Sequence, residues 1–194
     1  MDLSDPTTAA LQAARAIEAA HQEGAVYGGL ALAVWGEPRE TRDADFAVCH
    51  ADLDGIVGAF EQIGLHPQVN FRAMTFGGNQ ITRIEVTGMA VAEGFNVVDL
   101  VEPRSERFAR GVLQRAVSGN VRGQPIRVVS PEDFIVLKVL STRERDIEDA
   151  ASVVRALRGR LEWLLIAEEI SALALELPDH PCEDRWLRVQ REAG

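Results

Sequence analysis

The chain has 194 residues, 46% of them hydrophobic and 26% charged, which is the make-up of an ordinary globular protein of one domain, or of one domain with a small helical appendage. Its formal net charge of −10 gives it no global pull on nucleic acid, so any RNA or DNA contact would need a local basic patch. No run approaches the roughly eighteen uninterrupted apolar residues of a membrane span.

In chain order, the first predicted element is a helix over Asp5–Glu23, with Ser4 or Asp5 as cap, Pro6 in the first turn and Gly24 as its stop. Ala25-Val26-Tyr27 reads as a short strand, Gly28-Gly29 as the turn leaving it, and Leu30–Trp35 as a helix start. Strand, glycine turn and helix is a geometry in which bare backbone N–H groups approach a phosphate. Asp43–Val48 is the next strand. Its period of two sends Asp43 and Asp45 to one face and Ala44, Phe46 and Val48 to the other. Two carboxylates held side by side repel each other, which raises a pKa or calls for a cation. A hard divalent ion such as Mg²⁺, bound through carboxylates and substrate phosphates, relieves that repulsion.

A helix over Ala51–Ile63 follows, facing inward with Leu53, Ile56, Val57 and Phe60. Strands His66–Phe76 and Gln80–Val86 flank the hairpin turn Gly77-Gly78-Asn79. In the strand Phe95–Val101 a single acid, Asp99, sits inside an apolar run, so it requires a metal, an arginine or a set of donors as partner. Glu85, alternating with Ile84 and Val86, suits an exposed face instead. Ser105–Val117 reads as an arginine-bearing helix, and Gly123-Gln124-Pro125 as a turn or bent hairpin before a short strand ending at Val129. Ser130-Pro131-Glu132-Asp133 is a helix start. The helix beyond it is apolar nearly all round except for Lys138, whose ammonium must snorkel out or reach a polar cleft holding an anion. Asp146 and Asp149 share a helical face, either for chemistry or for capping and ion pairing with Arg143 or Arg145. Leu161–Leu177 is a last amphipathic helix. The proline-broken tail from Pro178 is expected to pack Trp186 and Leu187 and then fray.

Cys49 and Cys182 are the only cysteines and no signal peptide is read ahead of them, which fits free thiols in the cytoplasm. The histidines lie far apart with no partner at ligand spacing, so zinc is not expected.

With these residues in place, the sequence resembles the nucleotidyltransferase superfamily with the DNA polymerase beta-type fold. Gly28-Gly29, Gly36, Arg39, Thr41, Asp43 and Asp45 stand where that superfamily has its Gly-Gly, G-x-x-R-x-T and D-x-D positions. The stretch from Ser130 through Lys138 to Asp146 and Asp149 is similar to the helical half of AbiEii-type toxin nucleotidyltransferases and their small relatives. The resemblance spans roughly residues 25–160. It departs at Gly28-Gly29-Leu30, where many members carry Gly-Ser, although lincosamide nucleotidyltransferases also use Gly-Gly.

The resemblance implies an α/β (α+β) fold. A mixed, twisted sheet of about five strands with flanking helices would fill residues 1–129 and a helical part residues 130–194, with the nucleotide cleft between them. It implies that Asp43, Asp45 and Asp99 hold two Mg²⁺ ions, and that Gly28, Gly29, Arg39, Thr41 and Lys138 bind the NTP, ATP among the candidates. Asp146 would orient Lys138 or help activate the acceptor. The implied reaction moves an NMP from an NTP to an acceptor, with pyrophosphate released. A tRNA acceptor, as for a toxin paired with an antitoxin, would use a groove of Arg104, Arg107, Arg110, Arg115, Arg122 and Arg127. A protein hydroxyl, or a small molecule such as an aminoglycoside or lincosamide, are the other acceptors. A non-catalytic NTP sensor of the same fold is the alternative from a different class.

Overall fold

The computed structural model describes residues 2–88 and 95–194, and among these residues eight helices and seven strands are present. Asp5 starts helix α1 (Pro6–Ala19) by accepting from the backbone N–H groups of Thr7 and Thr8. Strand β1 (Gly24–Val26) runs into helix α2 (Gly28–Trp35), and strand β2 (Asp43–Val48) into helix α3 (Leu53–Gln62), which Asp52 caps. Of the face expected on α3, Ile56 and Phe60 are buried while Leu53 and Val57 are half-buried. Strands β3 (His66–Phe76) and β4 (Asn79–Thr87) form a hairpin, followed by strand β5 (Phe95–Pro103) and helix α4 (Glu106–Arg115), which Ser105 caps. A second hairpin of β6 (Val117–Val121) and β7 (Gln124–Val128) precedes helices α5 (Pro131–Val139), α6 (Arg145–Leu157), α7 (Trp163–Glu176) and α8 (Cys182–Ala193).

The strands make one mixed sheet in the order β3-β4-β5-β2-β1-β7-β6. β2 runs parallel to β5 and β1 parallel to β7, and the other neighbours are antiparallel. The sheet therefore has seven strands where about five were expected. Six of the seven, including the short strand ending at Val129, are read one by one from the sequence, and the one not read is β6, whose residues VSGNV have no apolar alternation because the strand lies at the edge and is half solvated. Arg122 and Gly123, both with positive φ of 51° and 79°, form its two-residue turn to β7.

The tail is the second difference. Residues 182–193 form a helix instead of fraying. Cys182, Arg185, Trp186, Val189 and Ala193 make its buried stripe at helical spacing, whereas Leu187 points outward and is 54% exposed. No helix among the described residues is long and apolar enough to cross a membrane.

One contact fixes the sheet against the helices that carry Lys138 and Asp146. The tip of the β3–β4 hairpin reaches the C-terminus of α5, where Gly78 N–H donates to the Leu140 carbonyl at 2.8 Å and Asn79 Nδ2 to the Leu137 carbonyl at 3.4 Å. These are carbonyls that a helix end leaves open.

Candidate active site

The pleat of β2 places Ala44, Phe46 and Val48 in the core and turns Asp43 and Asp45 to the opposite face. In register, Asp45 stands opposite Asp99 on β5, Asp99 opposite Arg83 on β4, and Arg83 opposite Phe71 on β3. One row thus crosses four strands on a single face. A carboxylate oxygen from each of Asp43, Asp45 and Asp99 lies within 4.8 Å of the other two. Asp99 is buried, and its partner is Arg83, whose Nε and Nη2 donate to the two carboxylate oxygens at 2.8 and 2.6 Å. Thr41 Oγ1 donates to Asp43 Oδ1 at 2.9 Å and orients it. Burial, with the charges of Asp43 and Asp99 beside it, pushes the Asp45 carboxyl up to about 7.

The glycine pair has a structural reason tied to these acids. Gly28 has φ +59°, and a Cβ there would stand 1.7 Å from Asp45 Oδ2. A Cβ on Gly29 would meet Thr41 at 2.6 Å. Tyr27 provides no side-chain cap to α2, so the first N–H groups of that helix are left for an anion beside the carboxylates.

Lys138 sits at the other wall of the cleft and is 4% exposed. Its Nζ donates to Asp146 Oδ1 at 2.5 Å and Asp149 Oδ2 at 2.8 Å, and lies 5.3 and 5.4 Å from the rings of Tyr27 and Phe134. Asp149 also accepts the Arg39 fork, Nε to Oδ1 at 3.0 Å and Nη2 to Oδ2 at 2.9 Å. Burial alone would raise the Asp149 carboxyl, but Arg39 and Lys138 outweigh it and hold it below the usual carboxylate range. Two cations thus face two carboxylates. Lys138 is therefore neutralised within the protein, and the anion it meets is carboxylate. The cations that line the cleft and its mouth with less compensation are Arg42, Arg143 and Arg145. Arg143 Nε is 3.6 Å from Asp146, Arg42 meets only the exposed Glu40, and Arg145 has no carboxylate partner among the described residues.

All the sequence-predicted site residues, namely Gly28, Gly29, Arg39, Thr41, Asp43, Asp45, Asp99, Lys138 and Asp146, gather around this cleft, with Gly29 and Thr41 packed behind Gly28 and Asp43. Sequence reasoning missed Arg83, and it named Arg143 and Arg145 only as ion-pair partners of the α6 acids, as Arg143 is to Asp146. Arg83 shares its parity with Glu85, opposite the buried Ile84 and Val86, so nothing in its own strand marked it as the partner of Asp99. The six arginines considered as an RNA groove are engaged elsewhere. Arg104 pairs with Asp179, Arg107 with Glu169 and Glu176, Arg110 with Glu106, Arg115 with Asp133 and Glu169, Arg122 with Asp5, and Arg127 with Glu23.

Residues 9–180 match a family described as "Nucleotidyltransferase of unknown function (DUF6036)". No curated protein matches the sequence. Solved structures share the fold, among them the following two. An antigenic nucleotidyltransferase-like protein from Paracoccidioides brasiliensis is 20% identical, with a TM-score of 0.53 over 92% of this chain and 91% of its own. The antibiotic-resistance factor ANT(2'')-Ia is 16% identical, with a TM-score of 0.56 over 91% of this chain and 97% of its own.

Proposed function

Because the chain belongs to this nucleotidyltransferase family, we propose that it moves a nucleoside monophosphate from an NTP to a small hydroxyl-bearing acceptor and releases pyrophosphate. The observation that carries this is the convergence of Asp43, Asp45 and Asp99 within 4.8 Å beside the uncapped start of α2. Three oxygen donors held together, with the Asp45 carboxyl raised by burial and then by Asp43 and Asp99, suit a hard divalent cation such as Mg²⁺. Such an ion supplies charge neutralisation at the phosphates and lowers the barrier to in-line displacement.

The chain's own residues do the rest. The α2 N–H groups with Arg42, Arg143 and Arg145 bind the triphosphate. Arg83 holds Asp99, and Thr41 holds Asp43. The acceptor oxygen bonds to the α-phosphorus as the bond to the β-phosphate oxygen breaks, and pyrophosphate carries away that electron pair. The hydroxyl proton passes to Asp99, whose oxygens each keep one lone pair beyond the Arg83 fork. Lys138 holds Asp146 and Asp149 in place. On this reading Asp43, Asp45 and Asp99 act from the sheet, while Lys138 with Asp146 and Asp149 acts from the helices.

A small acceptor is favoured over tRNA because the six arginines of the supposed groove are ion-paired, and an ion-paired face offers little to a polyanion. The fold shared with an antibiotic-resistance factor supports the same choice. The test is pyrophosphate release and transfer of α-labelled NTPs with Mg²⁺, comparing the native chain with Asp43→Asn and Asp45→Asn. Mg²⁺-dependent release abolished by either substitution is expected. Release that persists in both, or no NTP binding, ends the proposal.

A further inference from the structure

Beyond the catalytic acids, the same face of the sheet continues into a wall that the reaction as described does not use. Along the strands the features run in one direction. Arg39, Thr41 and Arg42 precede Asp43, the Asp45–Asp99 pair follows, then Val101 opposite Ile81, and then Asn79 at the hairpin. Phe76 faces Asn79 across that hairpin. All four of the last residues line the cleft. Ile81, Val101 and Asn79 are buried, whereas Phe76 is 37% exposed and Met74 beside it 47%.

Asn79 is the anomaly on this wall. It is 3% exposed, and with its Nδ2 bound to the Leu137 carbonyl, its Oδ1 has no hydrogen-bond partner in the described structure. A buried carboxamide oxygen left without a donor is costly, and it is satisfied when a ligand donor reaches it. On the sheet side of this wall the one guanidinium, that of Arg83, is bound to Asp99. Arg39, Arg42 and Arg145 gather with Asp43 and the bare N–H groups of α2 at one end, while Phe76, Ile81, Val101 and the lone acceptor of Asn79 supply the sheet wall at the other.

In-line displacement fixes what goes where. The leaving pyrophosphate and the attacking oxygen take opposite apical positions on the α-phosphorus. With the phosphates drawn to the cationic end, the attacking oxygen comes from the opposite side. We propose that Phe76, Asn79, Ile81 and Val101 form the acceptor subsite. Its ligand is an uncharged or cationic hydroxyl compound that lays a ring or other apolar face on Phe76 and donates a hydrogen bond to Asn79 Oδ1. The assignment rests on nucleotidyl transfer being the reaction, and it adds the acceptor's chemistry and place.

The test titrates the isotopically labelled full chain by NMR, with Mg²⁺ and α,β-methylene ATP or GTP bound. Three probes are used: 2-deoxystreptamine, phenyl β-D-glucoside and an RNA oligonucleotide with a free 3′-hydroxyl. Expected are shifts of the Phe76 ring, the Ile81 and Val101 methyls and the Asn79 side-chain amide on adding either small probe. Phe76→Ala, at an exposed position that leaves folding intact, should weaken that binding roughly tenfold while the nucleotide affinity stays within about twofold. Asn79→Ala, with folding followed by melting, should weaken it as well. If nucleotide binds but these resonances move only with RNA, or with no probe, or if Phe76→Ala has no effect, the acceptor assignment is overturned and the transferase reading stands. Failure of nucleotide to bind overturns that reading and the subsite with it.

Discussion

Arg83 grips both carboxylate oxygens of Asp99 from the neighbouring strand, at 2.8 and 2.6 Å, and lies with its guanidinium 5.7 Å from the Phe71 ring. Held by this side-on fork, Asp99 is left with one lone pair per oxygen and a single orientation. Arg83→Ala therefore frees a buried carboxylate to rotate and leaves it unpaired. Groups that orient metal-binding carboxylates typically change affinity or activity by 10–100-fold. We expect a loss in that range in Mg²⁺-dependent pyrophosphate release, with Arg83→Lys recovering only a minor part because an ammonium cannot fork. The check is a Mg²⁺ titration of each variant, and an unchanged Mg²⁺ midpoint would refute the orienting role.

Gly28 and Gly58 make a paired prediction about why glycines stand where they do. A Cβ at Gly28 would collide with Asp45 at 1.7 Å from Oδ2, while nothing lies within 4 Å of one at Gly58 in α3. Gly28→Ala should displace Asp45 and abolish turnover. Gly58→Ala should leave turnover intact and raise unfolding stability by up to about 1 kcal/mol through helix propensity. Thermal melts with pyrophosphate assays of both variants separate the two effects, and an active Gly28→Ala protein would contradict the packing argument.

Much of this site was legible in the sequence because its signals are local. The alternation of Asp43 and Asp45 with Ala44, Phe46 and Val48 gave the face, and the single acid in FNVVDLV gave Asp99 and its need for a partner. Cross-strand pairing is not local, so Arg83 could not be chosen over other donors until β4 was placed against β5. The resemblance already set Asp146 beside Lys138 as a group that would orient it, but the same limit hid Asp149, the second carboxylate on that ammonium. β6 escaped because an edge strand need not alternate. α8 carried a readable stripe, but two prolines ahead of it made the tail look broken.

Lys138→Met tests whether the ammonium is chiefly an internal counter-ion. Removing it leaves Asp146 and Asp149 buried and facing each other, with Arg39 on Asp149 and the more distant, exposed Arg143 beside Asp146. Breaking a buried ion pair from one side costs about 3–5 kcal/mol. Loss of stability on that scale is expected in chemical denaturation, partly restored by adding Asp146→Asn. A Lys138→Met protein of native stability but weakened NTP affinity would instead assign the lysine to the phosphates.

Asp45 gives the pH prediction. Its carboxyl lies at about 7 in the folded chain against an ordinary 3.8, because burial and then Asp43 and Asp99 oppose its charge. The folded state therefore holds a proton that the unfolded state has released across that window. Stability falls as pH rises from about 4 to 7 and levels off above, with a full effect on the order of 4 kcal/mol at roughly 1.4 kcal/mol per unit. The measurement is the unfolding free energy of the native chain relative to Asp45→Asn, from pH 5 to pH 8 without divalent ions. The native chain should lose ground from pH 5 to about pH 7 and then level off toward pH 8, and saturating Mg²⁺ at pH 8 should restore it by neutralising the deprotonated acid. A difference that stays flat with pH, or one that Mg²⁺ leaves unchanged, would mean that Asp45 is neither the strained acid nor a cation ligand.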